Sequence, residues 1–170
     1  MITRKKLFNF FLWWAVFGFS IWLGGTIFSM SVVVPMWVKH LHNQLKNSSK
    51  RQVLINTSLI FGPPWMAIRN LPVLIALVLG WYSKQHRQYL LITFISLIIG
   101  IIYTITYVYP INDILMIKAG ANKSAEEIIT MVDKWIFADR LRFAVMLVGY
   151  FFLLKAFRIT IPDKENKSTL

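Results

Sequence analysis

The sequence predicts an all-α integral membrane protein, a bundle of four helices, and three observations carry that prediction. Apolar residues make up 56% of the 170 and the mean hydropathy is +0.56, against the ~45–50% apolar content of soluble chains. Charged residues fall to 15% where ~25% is ordinary. The basic residues stand in short clusters between long apolar runs, as they do where Lys and Arg flank membrane spans. Cysteine is absent, which excludes disulfides, iron–sulfur clusters, thiol redox chemistry and cysteine zinc sites.

The net charge of +12 does not point to nucleic acid. No acidic residue precedes Asp113, and the cations of that stretch are dispersed among apolar runs, whereas a nucleic-acid surface needs a contiguous basic face. Membrane lipid is the expected partner.

Each run can be justified in turn as part of one membrane domain, 1–170. The first, 7–38, holds 32 residues without a charge, where ~20 suffice to cross a bilayer. Arg4, Lys5 and Lys6 precede it. A cleavable signal has an apolar core of only ~7–15 residues and a small-residue cleavage site, so this run reads as an uncleaved signal-anchor, span one at 7–36, with Pro35 near its far end. Span two, 61–82, opens on Pro63-Pro64, which a first helical turn tolerates. Span three, 89–109, follows a connector of six residues, 83–88, which implies a tight antiparallel hairpin. Span four, 136–157, is followed by a solvated tail, 158–170, containing Pro162-Asp163-Lys164-Glu165.

Two longer connectors remain, 40–60 and 110–135. The second contains Ser124-Ala125-Glu126-Glu127, a capping box in which hydroxyl and carboxylate satisfy amides at a helix start. Ile128, Ile129, Val132, Trp135 and Ile136 follow at helical spacing. One long helix is therefore expected from about Ala125, extending span four by an extramembrane or interfacial segment. Gly25 and Ser29 in span one, and Ser96, Gly100 and Thr104 in span three, recur every four residues and permit close helix approach. Tyr103 and Tyr107 continue the polar face of span three.

Four spans place both termini on one side. Nine basic residues on that side against eight on the other barely discriminate. The Arg4-Lys5-Lys6 cluster beside the first span, which usually dominates, puts the termini in the cytoplasm of a bacterial plasma membrane.

The same topology gathers the polar residues. The ends of spans one and three and the starts of spans two and four share a side, which collects Arg69, Asn70, Asn112, Asp113, Asp139 and Arg142. Trp135, Asp139 and Arg142 fall at i, i+4 and i+7, on one helix face. Ionisable groups inside a span are costly and usually face the interior in pairs, so Arg69 is expected to meet Asp113, Asp139 or a hydroxyl of Tyr103 or Tyr107, and Asp139 to meet Arg142. The cluster reads either as a small-molecule pocket opening on that face or as a structural network. His40 and His42 fall at its mouth and read as a solvated loop. No span contains a histidine, and His40-x-His42 is only a weak metal-ligand pair with no carboxylate nearby in sequence, so neither a metal site nor a bis-histidine haem is expected. A mid-membrane carboxylate of the kind proton pumps use is missing too.

Pro110-Ile111-Asn112 followed by Trp135-x-x-x-Asp139-x-x-Arg142, with the Gly24-Gly25…Ser29…Pro35 stretch of span one, resembles the anthrone oxygenase-like family of small four-span membrane proteins. Pro110, Asn112, Trp135 and Arg142 match its pattern; Asp139 stands where the family usually has His or Asn. The resemblance implies cofactor-free oxygenation of a polycyclic anthrone to an anthraquinone, a small apolar aromatic substrate. By it, Asp139 or Asp113 would be the base, Asn112 and Arg142 would stabilise the enolate, and Trp135 would wall the substrate beside Arg69, Asn70, Tyr103 and Tyr107. The alternative is a non-catalytic membrane subunit that binds lipid or another membrane protein; an oligomeric transporter is a third reading. Whether the polar cluster surrounds a cavity or fills it with its own side chains separates these readings.

Overall fold

The computed structural model describes residues 3–39, 63–117 and 123–160. His40, His42, the connector 40–60 and the tail beyond Thr160 lie outside them. Every element among the described residues is helical. Four helices result: α1, Arg4–Lys39; α2, Pro63–Leu79; α3, which starts at Lys84 and winds on to Ile117; and α4, Ala125–Thr160. α1 packs on α2 and α4, and α3 packs on α2 and α4. Two of them, Arg4–Lys39 and Lys84–Leu115, are long and apolar enough to cross a membrane. α2 contributes a shorter apolar stretch, Ile68–Leu79.

The inward face of α1 is set by spacing. Phe8, Leu12, Ala15, Phe19, Leu23 and Thr26 are its buried positions, three or four apart, so one stripe of an otherwise apolar helix meets its neighbours. Phe8, Leu12, Ala15 and Phe19 form a first core with Val73, Ala76 and Leu77 of α2, Leu90 and Leu97 of α3, and Met146, Leu153 and Ala156 of α4. A second core at the other end joins Val34, Val108, Leu115, Ile128, Val132, Trp135 and Ala138. The outward faces are apolar as well: Phe10, Trp13, Phe17, Ile21, Val78, Ile102 and Phe151 are each more than half exposed. Water would not tolerate so continuous an apolar exterior.

Contacts at the first end fix the relative directions. Arg4 donates from Nη2 and Nε to the Leu79 carbonyl, at 2.8 and 3.2 Å, supplying a cation and two donors to a helix end with unsatisfied carbonyls. Trp13 meets Phe157 edge to face at 4.6 Å. The start of α1, the end of α2 and the end of α4 therefore lie together, and the chain turns from α2 to α3 there through Gly80–Ser83. The hairpin is tighter than the connector 83–88 implied, because Lys84 already begins α3. A Cβ on Gly80 would come within 2.7 Å of Phe8 Cε2, so this turn is closed by the α1 core. His86, the third residue of α3, meets Phe8 edge to face at 5.1 Å.

The close approach expected of Ser96 and Gly100 is present between α3 and α4. A Cβ on Gly149 would stand 2.9 Å from Ser96 Cβ, and one on Gly100 would stand 2.9 Å from Met146 Sδ. Thr93 Oγ1 donates across the same seam to the Gly149 carbonyl, at 3.0 Å. At α1 the corresponding close contact belongs to Gly18, against Arg69 Cα at 3.5 Å.

Proline does not end α1 or α3. The expected span three, 89–109, stops short of Pro110, and the helix continues beyond it. Both helices use one device. Ser29–Val33 and Thr104–Val108 are π-wound; Val34 N–H reaches back five residues to Ser29 and Tyr109 N–H five residues to Thr104. Pro35 and Pro110 come immediately after. In an α-helix a proline ring strikes the carbonyl four residues earlier and offers it no hydrogen bond; a widened turn relieves both conflicts and lets the helix continue.

α4 begins as the capping box requires. Glu127 N–H donates to Ser124 Oγ at 3.2 Å, and Ser124 N–H donates to Glu127 Oε2 at 2.8 Å. The Ser124 amide, helped by Lys123, holds the Glu127 carboxyl below its ordinary value. A lowered carboxyl stabilises the fold fully above its unfolded value of 4.5 and loses that contribution as pH falls through the lowered value. Acidification into that range, or Ser124→Ala at neutral pH, is expected to speed amide hydrogen exchange at Glu127 and Ile128 while leaving Met146 protected. The helix then runs 36 residues to Thr160, three past the expected end of span four.

Candidate functional site

Between the two cores lies a polar layer. Its centre is Arg69, only 5% exposed, which α2 directs inward where Gly18 lets α1 come close. Arg69 Nε donates to Asn70 Oδ1 at 2.9 Å. Its guanidinium carbon lies 4.6 Å from the Trp22 ring centre and 5.4 Å from that of Phe19, within the range of cation–π attraction. Asn70 and two aromatic faces thus take the place of the Asp113, Asp139 or tyrosine partner expected from the sequence.

Arg142 enters the layer from α4. It pairs through Nη2 with Asp139 Oδ1, three residues earlier on the same face. Its guanidinium carbon lies 5.9 Å from the ring centre of Trp22, so two arginines share one indole. Trp22, Arg69 and Arg142, with Gly100, Ile101, Thr104 and Met146, line an internal space of about 10 Å³, about the size of one water molecule. This part of the cluster leaves no room for an organic substrate.

The other side of Asp139 differs. Asp139, Trp135, Ile136 and Arg140 of α4 face Met30, Val34, Pro35, Val38 and Lys39 of α1 across a cleft of about 530 Å³. That volume suits a small organic ligand. Trp135 is buried and packs its ring 6.0 Å from that of Trp37. Lys39 and Arg140 are the cations of the lining; the rest is apolar apart from Asp139 and the Trp135 N–H, whose Nε1 is buried without a hydrogen bond.

The residues singled out from the sequence therefore divide. Trp135 and Asp139 line the cleft, and Asp139 joins it to Arg142, Arg69 and Asn70 behind. Tyr103 and Tyr107 stack on each other at 5.4 Å, with Tyr103 packed on the second core. Asn112 and Asp113 are half-buried at the far end of α3, Asn112 with its Oδ1 buried and unbonded, and neither lines the cleft. Sequence reasoning missed Trp22, which is indistinguishable from lipid-facing aromatics inside a charge-free run. Its one signal is position, four residues after Gly18 and four before Thr26 on the buried stripe. Among the described residues no cluster of His, Asp or Glu could hold a metal ion.

Comparison with known proteins yields no match to a family model, a curated protein or a solved structure. The fold and the site define, by themselves, a chain helical in every element among its described residues, with two helices long and apolar enough to cross a membrane and a carboxylate-bearing cleft between α1 and α4.

Proposed function

We propose that the chain is a four-span bundle in the bacterial plasma membrane, both termini cytoplasmic, whose cleft binds a small apolar aromatic molecule and oxygenates it without a cofactor, in the manner of the anthrone oxygenase-like family it resembles. The observation that carries this reading is the cleft itself: an apolar space of about 530 Å³ with a buried carboxylate and a tryptophan in one wall. The apolar exterior and the two long apolar helices support the membrane setting.

The chemistry balances simply. Asp139 accepts a proton from an acidic C–H of the bound phenolic; the carbanion adds dioxygen to form a C–O bond; the resulting hydroperoxide, once protonated, loses water to leave a carbonyl. One CH₂ and one O₂ become one C=O and one H₂O. Arg142, on the far side of Asp139, positions that carboxylate. Oxygen consumption by the purified protein in liposomes, with an anthrone as substrate, tests the reading. Wild type is expected to consume one O₂ per anthrone, and the folded fraction of Asp139→Asn, which keeps the shape without the base, to lose that activity although the variant is less stable for want of the pair with Arg142. A folded Asp139→Asn protein that retains full activity would remove Asp139 from this role.

The Arg69 layer, which leaves no room for an organic substrate, favours the second reading, a non-catalytic subunit binding lipid. An acyl chain retained in the cleft after purification, with no oxygen uptake, is its expected signature.

A further inference from the structure

We propose that the small space between Trp22, Arg69 and Arg142 is a binding site for one monatomic anion, a halide of about chloride size. The inference is independent of what occupies the larger cleft.

The donors come first. Arg69 Nη1 and Arg142 Nε are both buried and both lack an acceptor, and both side chains line the same space. The remaining contacts of Arg69 are an amide oxygen and two ring faces, which are attractive but carry no formal charge. The other residues around the space, Trp22, Gly100, Ile101, Thr104 and Met146, include no carboxylate. Thr104 spends its hydroxyl hydrogen on the Gly100 carbonyl, at 2.7 Å, leaving the guanidinium N–H groups as the donors.

Charge comes next. Asp139 compensates Arg142 from the cleft side, and the layer then holds two guanidiniums against that one carboxylate. An uncompensated cation held away from water is strongly unfavourable unless an anion joins it. A water molecule could accept both N–H bonds but would leave the charge in place.

Size decides the class. About 10 Å³ admits one water-sized or slightly larger sphere, and no phosphate, sulfate or carboxylate group. The elastic part of the wall is Met146, whose Sδ would lie 2.9 Å from a Cβ on Gly100; the glycine and the flexible thioether together allow the small expansion from water to chloride.

The experiment uses the full-length protein in detergent at constant ionic strength, exchanging gluconate for chloride or bromide. Chloride and bromide are expected to raise the unfolding temperature saturably, with an about tenfold shift of the folding equilibrium at ten times the Kd, and gluconate and sulfate to have no such effect. Arg69→Met removes the excess charge and is expected to abolish the halide response. Crystals grown in bromide should give an anomalous peak within hydrogen-bonding distance of Arg69 Nη1 and Arg142 Nε, a readout on the wild type that needs no variant to fold. Equal stability in gluconate and chloride with no peak between the two arginines, the result if water fills the space, would overturn the proposal. So would a halide response that persists unchanged in Arg69→Met, which would place binding on the basic surface instead.

Discussion

Gly149→Leu is expected to separate α3 from α4 and leave little folded protein. The position has no slack: even the first added carbon would sit 2.9 Å from Ser96 Cβ, an atom fixed to the facing backbone, and 3.5 Å from the Thr93 carbonyl. The helices must move apart, which forfeits the Thr93 hydrogen bond to the Gly149 carbonyl and loosens the core around Met146 and Leu153. Overpacking of this kind costs about 3 kcal/mol, and the better helix propensity of leucine returns under ~1 kcal/mol. Gly100→Ala is the informative control. There the obstacle is the Met146 sulfur, the end of a flexible chain, so alanine is expected to be neutral or slightly stabilising. Thermal unfolding of the three proteins in one detergent orders them; equal loss at both glycines would mean that the seam is not as rigid as its geometry implies.

The second large effect concerns Asp139. Asp139→Ala leaves Arg142 and Arg69 side by side over Trp22 without the carboxylate, and breaking a buried pair by removing one member costs about 3–5 kcal/mol. Arg142→Met leaves the opposite defect, a buried carboxylate without its cation. The double variant Asp139→Ala/Arg142→Met removes both charges and is expected to recover most of the loss. A double-mutant cycle read by thermal unfolding measures the coupling directly, and additive losses would show that the two side chains act separately.

What the sequence made legible is what helical spacing controls within one helix. Ser124 and Glu127 announce the start of α4; Trp135, Asp139 and Arg142 share a face because 3.6 residues make a turn; Ser96 and Gly100 mark a seam because small residues let two helices come close. The buried position of Arg69 follows from the cost of a cation in an apolar run. Its partners do not, because they depend on how α1 is rotated against α2, and spacing along one helix says nothing about rotation between two. Trp22 was invisible for that reason. The run of α3 past Pro110 was hidden for another: proline disfavours a regular α-turn, but not a wider one, and the carbonyls of Ser31 and Thr106 are spared a collision by a hydrogen-bond register that local sequence does not announce.

That wider turn in α1 has a mechanical consequence. The jaw of the cleft on that side is Met30, Val34, Pro35, Val38 and Lys39, and all five lie within or past the π-wound segment Ser29–Val33, while the stripe from Phe8 to Leu23 that clamps α1 to the first core lies wholly before it. Pro35 has no N–H to tie this segment back to Ser31. The jaw thus begins where the regular hydrogen-bond ladder of α1 is interrupted, and it rests on the second core through Val34 and Trp37. Bending at that one place is expected to change the gape of the cleft without repacking the stripe of α1 that lies before it.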